Sequence, residues 1–141
     1  MVYADTSFIT PVYVHDTRSP ETIKRLSSLP SIWITPLNRA ELAHALELNV
    51  FWAKLSAFEA NRAWNRFESD LTKGVWIGAV MPDLVWNTSI DLARRYSAKM
   101  GVRTLDTLHV ASALELKAEQ FWTFDERQAK LADAVGLDTR A

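Results

Sequence analysis

Apolar positions along the chain gather into short β-branched or aromatic runs, separated by longer stretches with helical period. "MVYA" opens as a short strand and stops at Asp5, which two hydroxyl residues follow, Thr6 and Ser7. In "TPVYVH", Thr10 and Pro11 suit the N-cap and N1 positions of a first helix. "SPETIKRLSSL" repeats that arrangement with Ser19 and Pro20, and Pro30 stands just beyond it. "SIWIT" reads as a second strand, after which Pro36 opens the helix "PLNRAELAHALELNVFW". A further helix is predicted over 54–73, ending at Gly74, and "VWIGAVM" is a candidate third strand. Over 83–100, Val85, Leu92, Ala93, Tyr96 and Met100 share one helical face, with Gly101 placed to end it. A helix beginning at Asp106, the strand "FWTF", a helix over 126–135 and a candidate last strand "VGLDT" complete the chain.

Strands alternating with helices at this spacing imply a parallel sheet covered on both faces. The expected fold is α/β, a three-layer α/β/α sandwich around a mostly parallel sheet of four or five strands. A length of 141 residues suits one domain over 1–141, and no repeat, linker or charge block divides it. The absence of cysteine excludes disulfides, zinc–thiolate sites and thiol nucleophiles, and fits a cytoplasmic location. No secretory leader is expected at the start, and the longest apolar run is far too short to span a membrane.

A net charge of −1 gives the whole molecule no general attraction for nucleic acid. Any such binding has to come from a local patch. Arg94, Arg95, Lys99 and Arg103 form one just before Asp106 and could hold nucleic-acid phosphates. The same four also read as a solvated helix face with their stems lying along the surface. Phe51, Trp52, Leu55, Phe58, Trp64, Phe67 and Leu71 crowd the central helices. Most belong in a core, and any left exposed would offer a groove to a partner's helix.

Four acids carry the candidate chemistry. Ligands of an open parallel sheet bind beyond the carboxyl ends of its strands, where Asp5 and Asp125 end two strands and Asp106 heads a helix. Glu41 lies inside a helix among Leu37, Ala45, Leu48 and Trp52, with His44 close by. Each acid also has an ordinary role. Asp5 could cap the next helix or form an Asx-turn with Ser7. Asp125 with Gln128 matches a capping box, Asp106 is a suitable N-cap, and Glu41 could reach solvent or pair with Arg39 or His44. Capping and ligand binding do not exclude each other. Four acids in one cleft would repel by about 3–4 kcal/mol per pair at about 4–5 Å with an effective dielectric of roughly 20. Protonation or a cation relieves such repulsion. An all-oxygen donor set suits Mg²⁺ or Mn²⁺ better than zinc, and such ions bind phosphates and activate water. His109, one turn after Asp106, reads as a hydrogen-bonded neutral histidine more readily than as an added ligand. The absence of an HExxH pair disfavours a zinc hydrolase.

The ordered set "ADTS", "NRAEL", "RTLDTLHVASAL" and "FWTFDERQAKLADAVGL" resembles a PIN domain, and within that family it looks like the VapC-type toxins of toxin–antitoxin pairs. The resemblance spans residues 3 to about 139. It implies that Asp5, Glu41, Asp106 and Asp125 are the first to fourth acids of a site holding Mg²⁺ or Mn²⁺, with Asp5 a direct ligand. Thr6, Ser7 and Thr123 match hydroxyl positions that support those acids. It further implies an endoribonuclease acting on structured RNA, silenced by a cognate antitoxin and usually a homodimer. Two positions depart from the family pattern. Pro11 interrupts a commonly unbroken first helix, which is then expected to start later. Gln128 stands where Phe is frequent. Two alternatives are a PIN-like scaffold that binds RNA or protein without cutting, and a phosphatase of the haloacid-dehalogenase type. The latter needs D-x-D, and Ser7 occupies the second acid's place. No GxxxxGK[ST] or GxGxxG phosphate loop occurs.

Overall fold

The computed structural model describes residues 1–28 and 30–139. Four strands, β1 (Val2–Ala4), β2 (Ile32–Ile34), β3 (Trp76–Gly78) and β4 (Gln120–Trp122), form one all-parallel sheet in the order β3-β2-β1-β4. Between and after them lie helices α1 (Thr6–Tyr13), α2 (Ser19–Leu26), α3 (Pro36–Phe51), α4 (Ala57–Thr72), α5 (Val85–Leu92), α6 (Ala98–Met100), α7 (Thr104–Glu115) and α8 (Glu126–Ala134). A π-helical turn over Ala93–Ser97 joins α5 to α6.

Alternation along β1 explains the layers, because successive strand side chains point to opposite faces. Val2 and Ala4 enter an apolar cluster with Phe8, Ile32, Leu42, Phe67 and Trp76. Tyr3 enters the other cluster, with Val85, Leu92, Val110, Phe121 and Leu131. Both faces of the sheet are therefore covered, as an all-parallel sheet requires. Several predicted boundaries change. The first helix begins at Thr6 rather than at Thr10, and Pro11 lies inside it. Asp5 supplies the N-cap, and burial of Phe8 and Ile9 against the sheet carries the helix through the proline. Ser19 is the first residue of α2 and not its cap. Its hydroxyl donates to the Pro11 carbonyl at 2.7 Å. The predicted extension to Leu29 lies outside the described residues.

The helix expected over 54–73 starts after Ser56, whose hydroxyl accepts the Glu59 N–H while Glu59 accepts the Ser56 N–H. Asp106 does not cap α7 but occupies its third position, because the chain turns helical at Thr104. β4 ends at Trp122, so Thr123 and Phe124 lie beyond it. The candidate fifth strand is reduced to a single bridge between Gln120 and Asp138. Gly101 adopts φ +66° where the helical run ends, a conformation only glycine takes freely. Among the described residues no helix is long and apolar enough to cross a membrane.

Candidate active site

From β1 the chain runs outward through β2 to β3, then returns to place β4 on the other side of β1. That reversal opens a crevice beyond the carboxyl ends of β1 and β4, where open parallel sheets bind their ligands. A cleft of about 420 Å³ is lined by Asp5, Glu41, Asp106 and Asp125, together with Thr6, Ser7, Arg103 and Gln128.

Asp5 extends the β1–β4 ladder by donating its N–H to the Trp122 carbonyl at 3.1 Å. Its Oδ1 accepts the Ser7 hydroxyl at 2.7 Å and the Phe8 N–H at 3.3 Å, which caps α1. The residue is 2% exposed. Burial raises its pKa to about 6, against the lowering influence of His109, the Ser7 and Thr123 hydroxyls and the Phe8 N–H. At neutral pH this carboxylate is ionised at a cost in stability.

Glu41 is positioned from the sheet outward. Fully buried Asn38 donates from Nδ2 to the Ala4 carbonyl at 2.9 Å and accepts the Thr35 N–H at 2.9 Å. This ties the start of α3 to the end of β1. Three residues on, Glu41 Oε1 accepts the Thr6 hydroxyl at 2.7 Å and a hydrogen bond from His109 Nε2. Burial pushes the Glu41 carboxyl up, but His109 and Thr6 more than offset it and hold it below its ordinary range. An ionised carboxylate only accepts, so His109 Nε2 carries a hydrogen. Its Nδ1 lies 2.7 Å from the Tyr3 hydroxyl, which burial keeps protonated. A buried chain Tyr3–His109–Glu41 thus leads from the sheet to the cleft.

Asp106 is 3% exposed. Its Oδ2 accepts the Arg103 N–H at 2.8 Å and its Oδ1 accepts from Gln128 Nε2 at 3.1 Å. The Arg103 guanidinium stands 3.9 Å from Oδ2 and is largely exposed, so the ion pair itself contributes little. Asp125 caps α8, accepting the N–H groups of Arg127 at 2.9 Å and Gln128 at 3.0 Å. Thr123 lies behind the lining residues. Its Oγ1 accepts the Asp125 N–H at 2.9 Å and sits 3.1 Å from Ser7 Oγ.

The fold therefore gathers all four predicted acids and the hydroxyls Thr6 and Ser7 around one cleft. The basic residues divide. Arg103 lines the cleft, while Arg95 is held 3.1 Å from Asp91 and lies over the Tyr96 ring. Arg94 and Lys99 are exposed and do not line it. Neither pairing expected for Glu41 occurs, since Arg39 bonds Glu68 and His44 is exposed. The predicted Asp125–Gln128 box is half formed, because the Gln128 side chain reaches Asp106 instead. Among the described residues no three His, Asp or Glu side chains converge into a ready-made metal cage.

A PIN domain family profile matches residues 2–134. The chain belongs to the PIN domain family. No curated protein matches it. The fold is similar to that of FitAcB from Neisseria gonorrhoeae, with a TM-score of 0.75 and 18% identity over 100% of this chain and 97% of that one. It is also similar to Mycobacterium tuberculosis VapC20, a sarcin-ricin loop cleaving toxin, at a TM-score of 0.68 and 15% identity over all of both chains. A third similar structure is VapBC2 from Rickettsia felis bound to a DNA fragment from its promoter. There the TM-score is 0.68 and the identity 15%, over 99% of this chain and 98% of that one.

Tyr3, Asn38 and Gln128 join the hydrogen-bond network around this cleft, and the residue pattern gave no sign of the contacts they make there. Tyr3 and Asn38 act through carbonyl and ring contacts across 34 to 106 positions of chain. Gln128 alone left a trace, as the expected capping partner of Asp125. His109 is fully buried and bonded through both ring nitrogens.

Proposed function

We propose that this PIN domain is a metal-dependent endoribonuclease, the toxin of a toxin–antitoxin pair that hydrolyses phosphodiester bonds in RNA. The observation that carries the reading is Asp5, a nearly inaccessible carboxylate kept at the floor of a cleft that three further acids line. Burying that charge costs stability, a cost that a bound cation would offset.

The donor set fits Mg²⁺ or Mn²⁺. It is all oxygen, and Mg²⁺ in particular keeps several waters and uses one or two carboxylates instead of a closed protein cage. An open lining, without three converged ligands among the described residues, is compatible with that. Asp5 and Asp106 would hold the ion directly, and Glu41 and Asp125 would orient its hydration or help hold a second ion with substrate phosphates. A bound divalent cation supplies Lewis-acid polarisation of a phosphoryl oxygen and a lowered pKa for water. The chain's own residues set the geometry. Ser7 and the Phe8 N–H fix Asp5, Thr6 and His109 fix Glu41, and the Arg103 N–H fixes Asp106. The exposed Arg103 guanidinium at the rim offers a contact for a backbone phosphate.

RNA as the substrate is supported by the likeness in fold to a sarcin-ricin loop cleaving toxin, and an antitoxin partner by the likeness to VapBC2. The working assembly is a homodimer of single-domain chains in the cytoplasm, joined by antitoxin. Phe51, Trp52 and Phe58 are exposed near the α3–α4 turn and suit a partner's apolar helix. The competing reading is a scaffold that binds without cutting. It is compatible with the open lining and with Asp5 as the cap of α1, but a neutral cap would serve a scaffold without the cost of burying a charge. Incubation of the purified protein with total RNA and Mg²⁺ or Mn²⁺ tests the proposal. Discrete new RNA ends that vanish with EDTA and with Asp106→Asn support it. Intact RNA in every lane favours the scaffold.

A further inference from the structure

Gln128 connects two of the acids at once. Its backbone N–H donates to Asp125 Oδ1 at 3.0 Å, while its side-chain Nε2 donates to Asp106 Oδ1 at 3.1 Å. The residue is 6% exposed and lines the cleft. A carboxylate has no proton to give, so the amide must face Asp106 with its NH₂ end. That choice leaves Oε1 buried with no hydrogen-bond partner among the described residues.

An unsatisfied buried acceptor is costly, and the neighbouring buried residues of α8, Leu131 and Ala132, are apolar. A side chain of similar length without an amide would fill position 128 with no such penalty. The amide therefore has a use that packing does not supply. What it does is hold the side chain of Asp106, on α7, at a set distance from the N-cap of α8. Asp106 Oδ2 is fixed from its own helix by the Arg103 N–H, and Gln128 fixes the other oxygen from across the cleft.

We infer that Gln128 is a positioning residue that sets the spacing of Asp106 and Asp125 and so tunes the cleft for a divalent cation. The inference rests on the metal-dependent function proposed above. Residues that orient ligand carboxylates typically change metal affinity by 10–100-fold when replaced. Gln128→Met keeps length and bulk while removing the donor, so it separates clamping from packing.

The experiment is a Mn²⁺ titration of the full chain by calorimetry, with wild type, Gln128→Met and Asp106→Asn in parallel. Wild type should bind Mn²⁺, and Gln128→Met should bind it at least tenfold more weakly with an unchanged far-UV spectrum. Equal affinity in wild type and Gln128→Met overturns the role of Gln128 and leaves the metal site standing. No Mn²⁺ binding by wild type overturns both. A second measurement does not depend on the variant folding. The Gln128 side-chain NH₂ pair in the NMR spectrum of wild type should exchange slowly with solvent and shift on Mg²⁺ addition. A pair that Mg²⁺ leaves unmoved overturns the inference.

Discussion

Asp5→Asn should make the metal-free protein more stable at neutral pH while removing a charge from the proposed cation site. The Asp5 carboxyl titrates near 6 in the fold against 3.8 for the free side chain, chiefly because burial disfavours its charged form. A folded pKa raised above the unfolded one adds stability below the unfolded value, and that stability is lost as pH rises through the folded value. The separation of about two units is worth about 3 kcal/mol between acid and pH 8. About 1.4 kcal/mol of that falls between pH 5 and pH 8. Glu41 behaves oppositely, since its depressed pKa costs stability only as pH falls below the ordinary carboxylate range. A window from pH 5 to 8 therefore isolates Asp5.

The assay is urea unfolding in EDTA at pH 5, 6, 7 and 8. With a slope of about 1–3 kcal/mol/M, the wild-type midpoint should fall by roughly 0.5–1.4 M across the window relative to Asp5→Asn. Asparagine keeps an Oδ1 that can accept from Ser7 and the Phe8 N–H, so the cap on α1 survives. At pH 8 the variant should be the more stable protein by up to about 3 kcal/mol. Parallel pH profiles for the two proteins, or a less stable variant at pH 8, would refute the reasoning that Asp5 is a carboxylate held against its own desolvation.

Three further outcomes follow from the same contacts. His109→Leu removes the fully buried ring that donates to Glu41 and faces the Tyr3 hydroxyl, and should cost about 2–3 kcal/mol in urea unfolding; a loss below 1 kcal/mol would show the relay to be incidental. Thr6→Val keeps the shape of Thr6 but deletes its 2.7 Å bond to Glu41, and should weaken Mn²⁺ binding about tenfold with little change in stability. Arg103→Ala should lower RNA affinity and reduce the salt slope by about 1, whereas Arg95→Ala, already engaged by Asp91, should change neither. Equal effects from the two arginines in a filter-binding series would remove Arg103 from the site.

The all-parallel layering was legible because its signals are local. Strands three residues long announce themselves by β-branched and aromatic runs bounded by Pro, Gly and Asp, and the four acids follow a strand or lie within the first two turns of a helix. Less local features were not legible. Pro11 looked like a helix start, yet sheet packing of Phe8 and Ile9 holds the turn before it. Asp106 looked like a cap, but nothing in its neighbours reveals that Thr104 and Leu105 are already helical. The π turn at Ala93–Ser97 adds a residue to the helical period without changing the sequence pattern that predicted one amphipathic face. The partners of the acids were hidden because they are far off in sequence: Glu41 meets His109 across 68 positions and Asp106 meets Gln128 across 22.

Asp5, Glu41, Asp106 and Asp125 are proposed to surround a divalent cation. A crystal grown with millimolar Mn²⁺ and measured at the manganese absorption edge tests this without relying on turnover. An anomalous peak is expected inside this cleft beside Asp5 and Asp106, absent from crystals of Asp5→Asn. A well-ordered wild-type crystal with no manganese in the cleft, or with manganese bound elsewhere only, would contradict it.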